Sequence, residues 1–166
     1  MSGSYYAADA RSVGSEPAAL PEGVTVRAVT EAGIPALAEL YLRCYEHVKK
    51  LDDALADMTS EFEGTWGVLW PEASPGAWVG ESLACAVLSV RRPAWEGAPD
   101  CPWLTDVFTD PGHRRSGLAR GLVIYACRVM AEAGEAQVGL TVDDDNVGAV
   151  TLYRALGFHE WSASTA

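Results

Sequence analysis

The residues whose types and spacing best suit chemistry lie between Val107 and Arg120. Val107 and Phe108 have the β propensity of a strand end. The proline and glycine of residues 110–112 favour a tight turn, because proline presets φ and glycine accepts positive φ. Apolar residues at helical spacing begin at Leu118. This stretch therefore predicts a strand, a tight loop and the N-terminus of a helix.

The loop before this helix combines positive charge with an open backbone. It carries Arg114, Arg115, Ser116 and Gly117, and Arg120 follows one turn later. A helix N-terminus presents unpaired N–H groups and about half an elementary positive charge. Gly117 has no Cβ, so a bulky anion can approach the main chain there. These features predict a phosphate-binding loop, although the lysine of a Walker A loop and the glycines of a Rossmann fingerprint are missing.

Length and composition predict one domain behind a leader. The chain has 166 residues, which suits a single domain. Residues 1–22 are rich in Ser, Gly, Ala and Pro without periodicity, which predicts a disordered leader. The domain is then expected at residues 23–166.

Charge and cysteine content restrict the partners. The net charge of −11 disfavours nucleic acid and anionic membranes as partners, and it favours a cationic partner such as an amine. No apolar run approaches the roughly 20 residues that cross a bilayer. The four cysteines form no CxxC pair, which predicts reduced thiols and a cytoplasmic location. The three histidines show no ligand spacing with the cysteines, so no metal is expected.

The positioning elements follow from periodicity. Helices are predicted near residues 34–48, 51–62, 118–133 and 147–156, and strands near 24–29, 82–90, 103–109, 137–142 and 158–161. Residues 63–80 contain three tryptophans in a loop-rich stretch, which either lines a pocket or covers the core. The acidic face of the helix at 51–62 either meets an amine or is simply solvated. Asp143 to Asp145 lack EF-hand spacing and favour a turn that caps the next helix through Asp145 or Asn146.

Two segments together resemble one family. The first, Arg114-x-x-Gly117-x-Ala119, resembles the acetyl-CoA loop of the GNAT acyltransferase superfamily. The second is similar to the segment that closes many GNAT domains, and it comprises Asn146, Ala149, Leu152, Tyr153, Leu156, Gly157 and Phe158. The resemblance covers residues 107–158, with the two segments in the family's order. It implies an α/β (α+β) GNAT fold, with a central mixed, mostly antiparallel twisted sheet and helices on both faces.

The resemblance implies an N-acetyltransferase that moves an acetyl group from acetyl-CoA to a primary amine by direct attack in a ternary complex. It places the pantetheine arm beside the main chain of Val107, Phe108 and Thr109, where an N–H group polarises the thioester carbonyl. It places the diphosphate on the backbone N–H groups that follow Arg114. These belong to Arg115, Ser116, Gly117, Leu118, Ala119 and Arg120. Asn146 matches a position that contacts the cofactor arm.

The reaction also needs two proton transfers, and the resemblance suggests a residue for one of them. Tyr153 matches the position that often acts as general acid toward the departing thiolate, although it also suits simple packing along its helix. Some relatives carry a glutamate base five residues before the asparagine, but Thr141 occupies that position here. Asp106 is then the nearest acidic residue on the other strand. Water, or the proximity of a bound amine to the thioester, is the alternative.

Other functions stay open at this point. A catalytically inactive CoA-binding GNAT-fold sensor or interaction module is the main alternative, and a nucleotide-phosphate binder is a third. The acceptor is expected to be a small-molecule or peptide amine, without further definition. The apolar tail around Trp161 allows a homodimer through a sheet edge.

Overall fold

The computed structural model describes residues 3–161. Its strands are β1 (Gly3–Asp9), β2 (Val24–Ala28), β3 (Gly67–Leu69), β4 (Pro75–Val79), β5 (Ser82–Pro93), β6 (Trp103–Thr109), β7 (Gln137–Asp143) and β8 (His159–Glu160). Its helices are α1 (Ala10–Gly14), α2 (Ile34–Cys44), α3 (Leu51–Phe62), α4 (Leu118–Glu132) and α5 (Val147–Ala155).

All these strands join one sheet, in the order β2-β4-β5-β6-β7-β1-β8, with β3 paired to β5 beside this path. Every pairing is antiparallel except that of β6 with β7. The prediction of a mixed, mostly antiparallel sheet is therefore confirmed. The tryptophan-rich stretch, which the sequence suggested is rich in loops, contributes two short strands, β3 and β4.

The core lies on both faces of the central strand β5. Cys85 and Val87 pack with the cluster that includes α1 and α4, whereas Ala86 and Leu88 pack with the cluster formed by α2 and α3. Successive side chains of a strand point to opposite faces, so a strand between two helical layers is apolar throughout. This confirms the prediction that helices cover both faces of the sheet.

The start of the chain differs from the expected disordered leader. β1 pairs with β7 along its whole length, from Gly3 opposite Asp143 to Asp9 opposite Gln137. α1 then packs on α4, and the side chains of Ala10 and Val13 are fully buried. The composition misled the prediction because half of the buried residues here are alanines, which are also common in linkers. Met1 and Ser2 lie outside the described residues.

β6 has an irregular course that positions the site. Its pairing with β5 shifts register between Asp106 and Leu104, which marks a β-bulge at Thr105. It pairs with β7 only at Trp103 and Leu104, and the two strands separate beyond that point. The ring of Trp103 crosses Gly139 of β7 so closely that a Cβ at Gly139 would lie 2.2 Å from it. Within the described residues, no helix is both long and apolar enough to cross a membrane.

Candidate active site

A cleft of about 750 Å³ extends from the unpaired end of β6 to the start of α4. It is lined by Cys44, Tyr45, Val107, Phe108, Thr109, His113, Arg114, Arg115, Gly117, Leu118, Ala119, Arg120, Asn146, Gly148, Ala149, Leu152 and Tyr153. All of the site residues predicted from the sequence are among them, except Asp106 and Ser116. One cavity therefore joins the two sequence segments that suggested the function.

The loop before α4 is held by polar contacts at its base. The carboxylate of Asp110 accepts a hydrogen bond of 2.8 Å from the N–H group of Gly112. It also accepts one of 2.9 Å from Arg43 Nε of α2, which is a salt bridge. Arg115 and Gly117 both adopt positive φ, of 64° and 82°. These contacts fix the path of the loop into the helix.

The N-terminus of α4 has no side-chain cap. The N–H group of Gly121 bonds to the carbonyl of Gly117 at 3.0 Å, and it is the first amide of the helix with an intrahelical acceptor. Within residues 3–161, the amides of Leu118, Ala119 and Arg120 have no acceptor. Unpaired amides and the helix dipole together favour an anion at this end of the cleft.

The arginines around this helix start are not equivalent. Arg114 and Arg115 are exposed. Arg120 donates a hydrogen bond of 3.2 Å to the carbonyl of Pro17 and lies 3.8 Å from the carboxylate of Glu16. The segment after α1 therefore orients Arg120. The hydroxyl of Ser116 donates to the carbonyl of His113 instead of facing the cleft.

Tyr153 projects from α5 into the cleft and is 6% exposed. Its ring packs edge-on against Phe158 with the centroids 5.7 Å apart. Its hydroxyl has no hydrogen-bond partner among the described residues. Burial, followed by the charge of Asp106, raises the pKa of Tyr153. The phenol therefore stays protonated at neutral pH, as a proton donor requires.

Asn146 is the N-cap of α5, and it is one of the two residues predicted from the sequence for that role. Its side-chain oxygen accepts a hydrogen bond of 3.1 Å from the N–H group of Ala149. In the described part of the chain its NH₂ group donates to no protein atom, and the residue lines the cleft. Capping and contact with a ligand are therefore compatible at this position.

Asp106 lies behind the cleft wall, on the face of the sheet that α2 and α3 cover. Its Oδ1 accepts a hydrogen bond of 2.7 Å from the hydroxyl of Tyr45, and Tyr45 itself lines the cleft. Desolvation raises the pKa of Asp106 to about 6, against the lowering effects of the Tyr45 hydroxyl and the Val107 N–H group. In the part of the chain that the structure describes, Asp106 thus connects to the cleft through the phenol of Tyr45.

A second carboxylate, Glu61 of α3, is buried close to Asp106. Its Oε2 lies 3.0 Å from the hydroxyl of Thr105, at the bulge of β6. Desolvation, followed by the charge of Asp106, raises the pKa of Glu61 to about 7. The rest of the acidic helix face is solvated, since Asp52, Asp53 and Asp57 are exposed. The helical periodicity of α3 could have distinguished Glu61, because it lies three residues after the buried Met58.

Sequence reasoning also missed Tyr45 and Cys44 as cleft residues. α2 ends at Cys44, and Tyr45 adopts an extended backbone conformation that follows the helix. The Tyr45 ring lies 6.2 Å from that of Phe108 on β6. No short motif marks either residue, because their position depends on where α2 ends against β6.

No metal site was found among the described residues. They contain no group of three or more His, Cys, Asp or Glu side chains that could hold an ion. The four cysteines, Cys44, Cys85, Cys101 and Cys127, are all free. Burial raises the pKa of Cys44 to about 12 and that of Cys85 to about 11, so both thiols stay protonated at neutral pH.

Comparison with protein families gives one match. The family model described as "Acetyltransferase (GNAT) family" matches residues 34–158. The match includes both sequence segments as well as α2 and α3, which no motif had covered.

Curated relatives match a shorter part of the chain. A mycothiol acetyltransferase of Kocuria rhizophila is 40% identical over 68 residues, which are 39% of this chain and 22% of that protein. The ribosomal protein bS18-alanine N-acetyltransferase of Escherichia coli K12 is 35% identical over 57 residues, which are 34% of this chain and 38% of that protein. The matches therefore span about a fifth of the first relative and well under half of the second.

Solved structures match nearly the whole chain in fold. A GCN5-related N-acetyltransferase from Sphaerobacter thermophilus has a TM-score of 0.70 at 22% identity, covering 96% of this chain and 48% of that one. The ribosomal-protein-S18-alanine N-acetyltransferase from Escherichia coli has a TM-score of 0.66 at 20% identity, covering 84% of this chain and 79% of that one. The aminoglycoside N-acetyltransferase AAC(6')-Iy, solved in complex with CoA, has a TM-score of 0.65 at 19% identity, covering 87% of this chain and 94% of that one.

Proposed function

Because this chain belongs to the GNAT acetyltransferase family, we propose that it transfers an acetyl group from acetyl-CoA to a primary amine by direct attack in a ternary complex. The observation that carries the proposal is the single cleft that joins the unpaired edge of β6 to the uncapped N-terminus of α4. A CoA molecule has a thioester at one end and phosphates at the other, and the two ends of this cleft suit those groups.

The phosphate end of the proposed site is built from main-chain amides. The amides of Leu118, Ala119 and Arg120 would donate to the diphosphate, with Arg114 and Arg115 adding charge from the rim. Arg120 would contribute charge while its guanidinium stays anchored to the carbonyl of Pro17. The amides would thus contact the diphosphate directly, and the arginines would add positive charge around it. This arrangement suits a ligand whose two phosphates lie over one helix start.

The thioester end of the proposed site is built from β6. Val107, Phe108 and Thr109 have β5 on one side and no strand on the other, so main-chain groups there are free to pair with the pantetheine arm. A main-chain N–H group near Val107 would stabilise the oxygen of the thioester as negative charge develops on it. Asn146 would donate its NH₂ group to the cofactor arm from the opposite wall.

Proton movement in the proposed reaction uses two tyrosines. Tyr153 would donate its proton to the departing thiolate sulfur. On the acceptor side, an amine N–H proton would pass to the Tyr45 oxygen as the Tyr45 proton passes to Asp106 Oδ1 over the 2.7 Å hydrogen bond. Asp106 would thereby act as the base predicted from the sequence, through a phenol and not by direct contact. The raised pKa values of Cys44 and Cys85 argue against an acyl-cysteine intermediate.

The acceptor is proposed as a small-molecule or peptide amine. The relatives include a mycothiol acetyltransferase and a ribosomal protein alanine N-acetyltransferase, so they point to unlike acceptors. A cytoplasmic location, the absence of nucleic acid and membrane partners, and a homodimer through the tail around Trp161 stay predictions.

The test is a calorimetric titration with acetyl-CoA of the wild type, Gly117→Glu and Gly134→Glu. Both glycines are exposed at opposite ends of α4, with positive φ of 82° and 94°, so both variants carry the same kind of backbone strain. The proposal expects Gly117→Glu to lose binding and Gly134→Glu to bind as the wild type does. Absence of binding by the wild type, or equal binding by both variants, would refute the proposed cofactor site.

A further inference from the structure

A second pocket, of about 200 Å³, lies beside the bulge of β6, apart from the cofactor cleft. Its lining residues are Glu61, Trp66, Trp95, Trp103, Leu104, Thr105 and Thr141. They come from α3, from the loops at the ends of β3 and β5, and from β6 and β7. Among the described residues, no basic side chain lines the pocket. Three indoles and one carboxylate around a small cavity are unusual, because large aromatic groups normally fill such space.

The indoles of this pocket are held in place. The Nε1–H group of Trp95 donates to the Tyr5 hydroxyl at 2.8 Å, and that of Trp103 donates to Thr141 Oγ1 at 3.3 Å. The rings of Trp95 and Trp103 meet edge to face with the centroids 5.7 Å apart. With these two N–H donors already paired, the rings offer the pocket carbon surface and π-electron density. Trp66 stands at its outer side and is 47% exposed.

The carboxylate of this pocket lacks a full set of donors. Thr105 has one hydroxyl proton, and two acceptors face it: Glu61 Oε2 at 3.0 Å and the carbonyl of Leu88 at 3.2 Å. Asp106 and Asp57 add negative charge around Glu61, and the charge of Glu61 in turn contributes to raising the pKa of Tyr41. A cation that entered the pocket would meet an electron-rich surface and a carboxylate that has no counter-ion among residues 3–161.

The pocket also lies next to the proposed reaction centre. Thr105 lines the pocket, and Val107 lines the cofactor cleft two residues further along β6, about 7 Å along the strand. Thr141 of β7 faces this pocket as well. Glu61 of α3 is the one carboxylate among the residues that line the pocket.

From these contacts we infer that the pocket formed by Glu61, Trp66, Trp95 and Trp103 is the acceptor subsite, and that it selects a small amine arriving as an ammonium ion on an apolar or aromatic body. This inference rests on the proposed function. The ammonium group pairs with Glu61, and the apolar body packs against the indoles. A volume of 200 Å³ equals that of about seven liquid water molecules. The pocket thus takes one small amine or one side-chain-sized group.

The test uses phenethylamine as the probe and 2-phenylethanol as its neutral match, with saturation-transfer NMR and calorimetry on the full chain. The variants are Glu61→Gln and Trp66→Ala. Their matched controls are Glu63→Gln, an exposed carboxylate just after α3, and Val68→Ala, an exposed residue of β3 outside the pocket lining. Acetyl-CoA affinity is measured on every variant, because it reports that the fold and the cofactor cleft are intact.

The inference expects the amine to bind the wild type at least about tenfold more tightly than the alcohol does, since only the amine carries a charge. Glu61→Gln and Trp66→Ala should each weaken the amine about tenfold and leave acetyl-CoA affinity unchanged, whereas both controls match the wild type. Equal binding of amine and alcohol, or unchanged amine binding by both pocket variants, overturns the inference.

The two proposals fail separately. If the wild type binds acetyl-CoA and acetylates other amines but shows no saturable binding of phenethylamine, the inference is wrong and the proposed function stands. If the pocket variants lose the amine but the wild type does not bind acetyl-CoA, the pocket stands as an amine site and the proposed function fails.

Discussion

The hydroxyl of Tyr45 donates a 2.7 Å hydrogen bond to Oδ1 of Asp106, and within residues 3–161 this bond is what connects that carboxylate to the cofactor cleft. Tyr45 follows the last residue of α2, and Asp106 lies on β6 beside the bulge. The pair connects the helix layer to the strand that would hold the thioester. Its proposed role as a proton relay makes the reaction rate depend on the ionisation of a buried carboxylate.

The first prediction concerns pH and rate. Asp106 has a pKa raised to about 6, with Glu61, Asp57, Tyr41 and Tyr45 as its titratable neighbours. Since only the carboxylate accepts a proton, kcat, which is measured with the acceptor bound, should fall as pH drops through about 6. Asp106→Asn should lower kcat by about 100-fold and remove this pH limb.

Tyr45→Phe should reproduce the loss of Asp106→Asn, because it breaks the same relay. Asp57→Asn is the control, since it removes a neighbouring charge from an exposed position. Steady-state rates between pH 5 and 9 give the profiles. A limb near pH 6 that survives in Asp106→Asn would assign the base elsewhere.

The second prediction concerns Tyr153. Its phenol is protonated at neutral pH and faces the cleft. Tyr153→Phe keeps the ring contact with Phe158 and removes the proton donor, so kcat should fall about 100-fold while acetyl-CoA affinity is kept. Tyr125→Phe, on a partly exposed tyrosine of α4, is the matched control and should be silent.

The same pair of variants separates the enzyme from a CoA-binding module without chemistry. Single-turnover measurement of thiol release reads the acid step directly. Wild-type protein that binds acetyl-CoA but acetylates no amine would favour the module. Unchanged turnover in Tyr153→Phe would mean that water or another group protonates the thiolate.

The third prediction concerns stability and Glu61. Its pKa is raised from 4.5 to about 7 in the folded state, so the proton stabilises the fold fully below about pH 4.5 and this stabilisation is lost as pH rises through 7. For a shift of this size the loss amounts to about 3 kcal/mol. Glu61→Gln mimics the protonated form, so its advantage over the wild type in free energy of unfolding should grow from about pH 4.5 to about pH 7 and level off above pH 7.

Urea unfolding of both proteins at pH 5 and pH 8 measures the difference, with Glu63→Gln as the exposed control. The expected sign is a larger gain for Glu61→Gln at pH 8 than at pH 5. A variant that is less stable than the wild type at both pH values would show that the Glu61 charge is compensated in the fold.

The fourth prediction concerns the point at which β6 and β7 part. A Cβ at Gly139 would lie 2.2 Å from the ring of Trp103, and the contacts of that ring with Tyr5, Trp95 and Trp161 resist its displacement. Gly139→Ala should therefore lower the free energy of unfolding by about 1–3 kcal/mol.

Gly33→Ala is the matched control, because only the Thr30 hydroxyl comes within 4 Å of its Cβ position, at 3.6 Å, and Gly33 does not line the cofactor cleft. Urea unfolding measures the stability of both variants, and acetyl-CoA titration measures whether their cofactor cleft is intact. If Gly139→Ala is as stable as the wild type, Trp103 moves more freely than its contacts indicate, and the indole pocket is less rigid than inferred.

The sequence by itself determined the family and the local chemistry. The Arg114 to Ala119 loop and the segment from Asn146 to Phe158 are short motifs, and their residues act through backbone conformation, caps and charge that neighbours along the chain decide. Positive φ at Gly117 and the N-cap at Asn146 are consequences of this kind. Periodicity likewise located the main helices and the central strands, because burial on one or two faces imposes a repeat on the residues.

Tertiary structure alone decided which distant residues meet. The position of Glu61 beside Thr105, and of Tyr45 beside Asp106, depends on how α2 and α3 pack across β6. The same is true of β1, whose alanines are unremarkable in sequence but become buried when β7 offers an edge. Contacts between residues far apart in the chain leave no periodic pattern, since each partner satisfies only its own local preference. The fold therefore supplied the carboxylates and the indole pocket that no motif had marked.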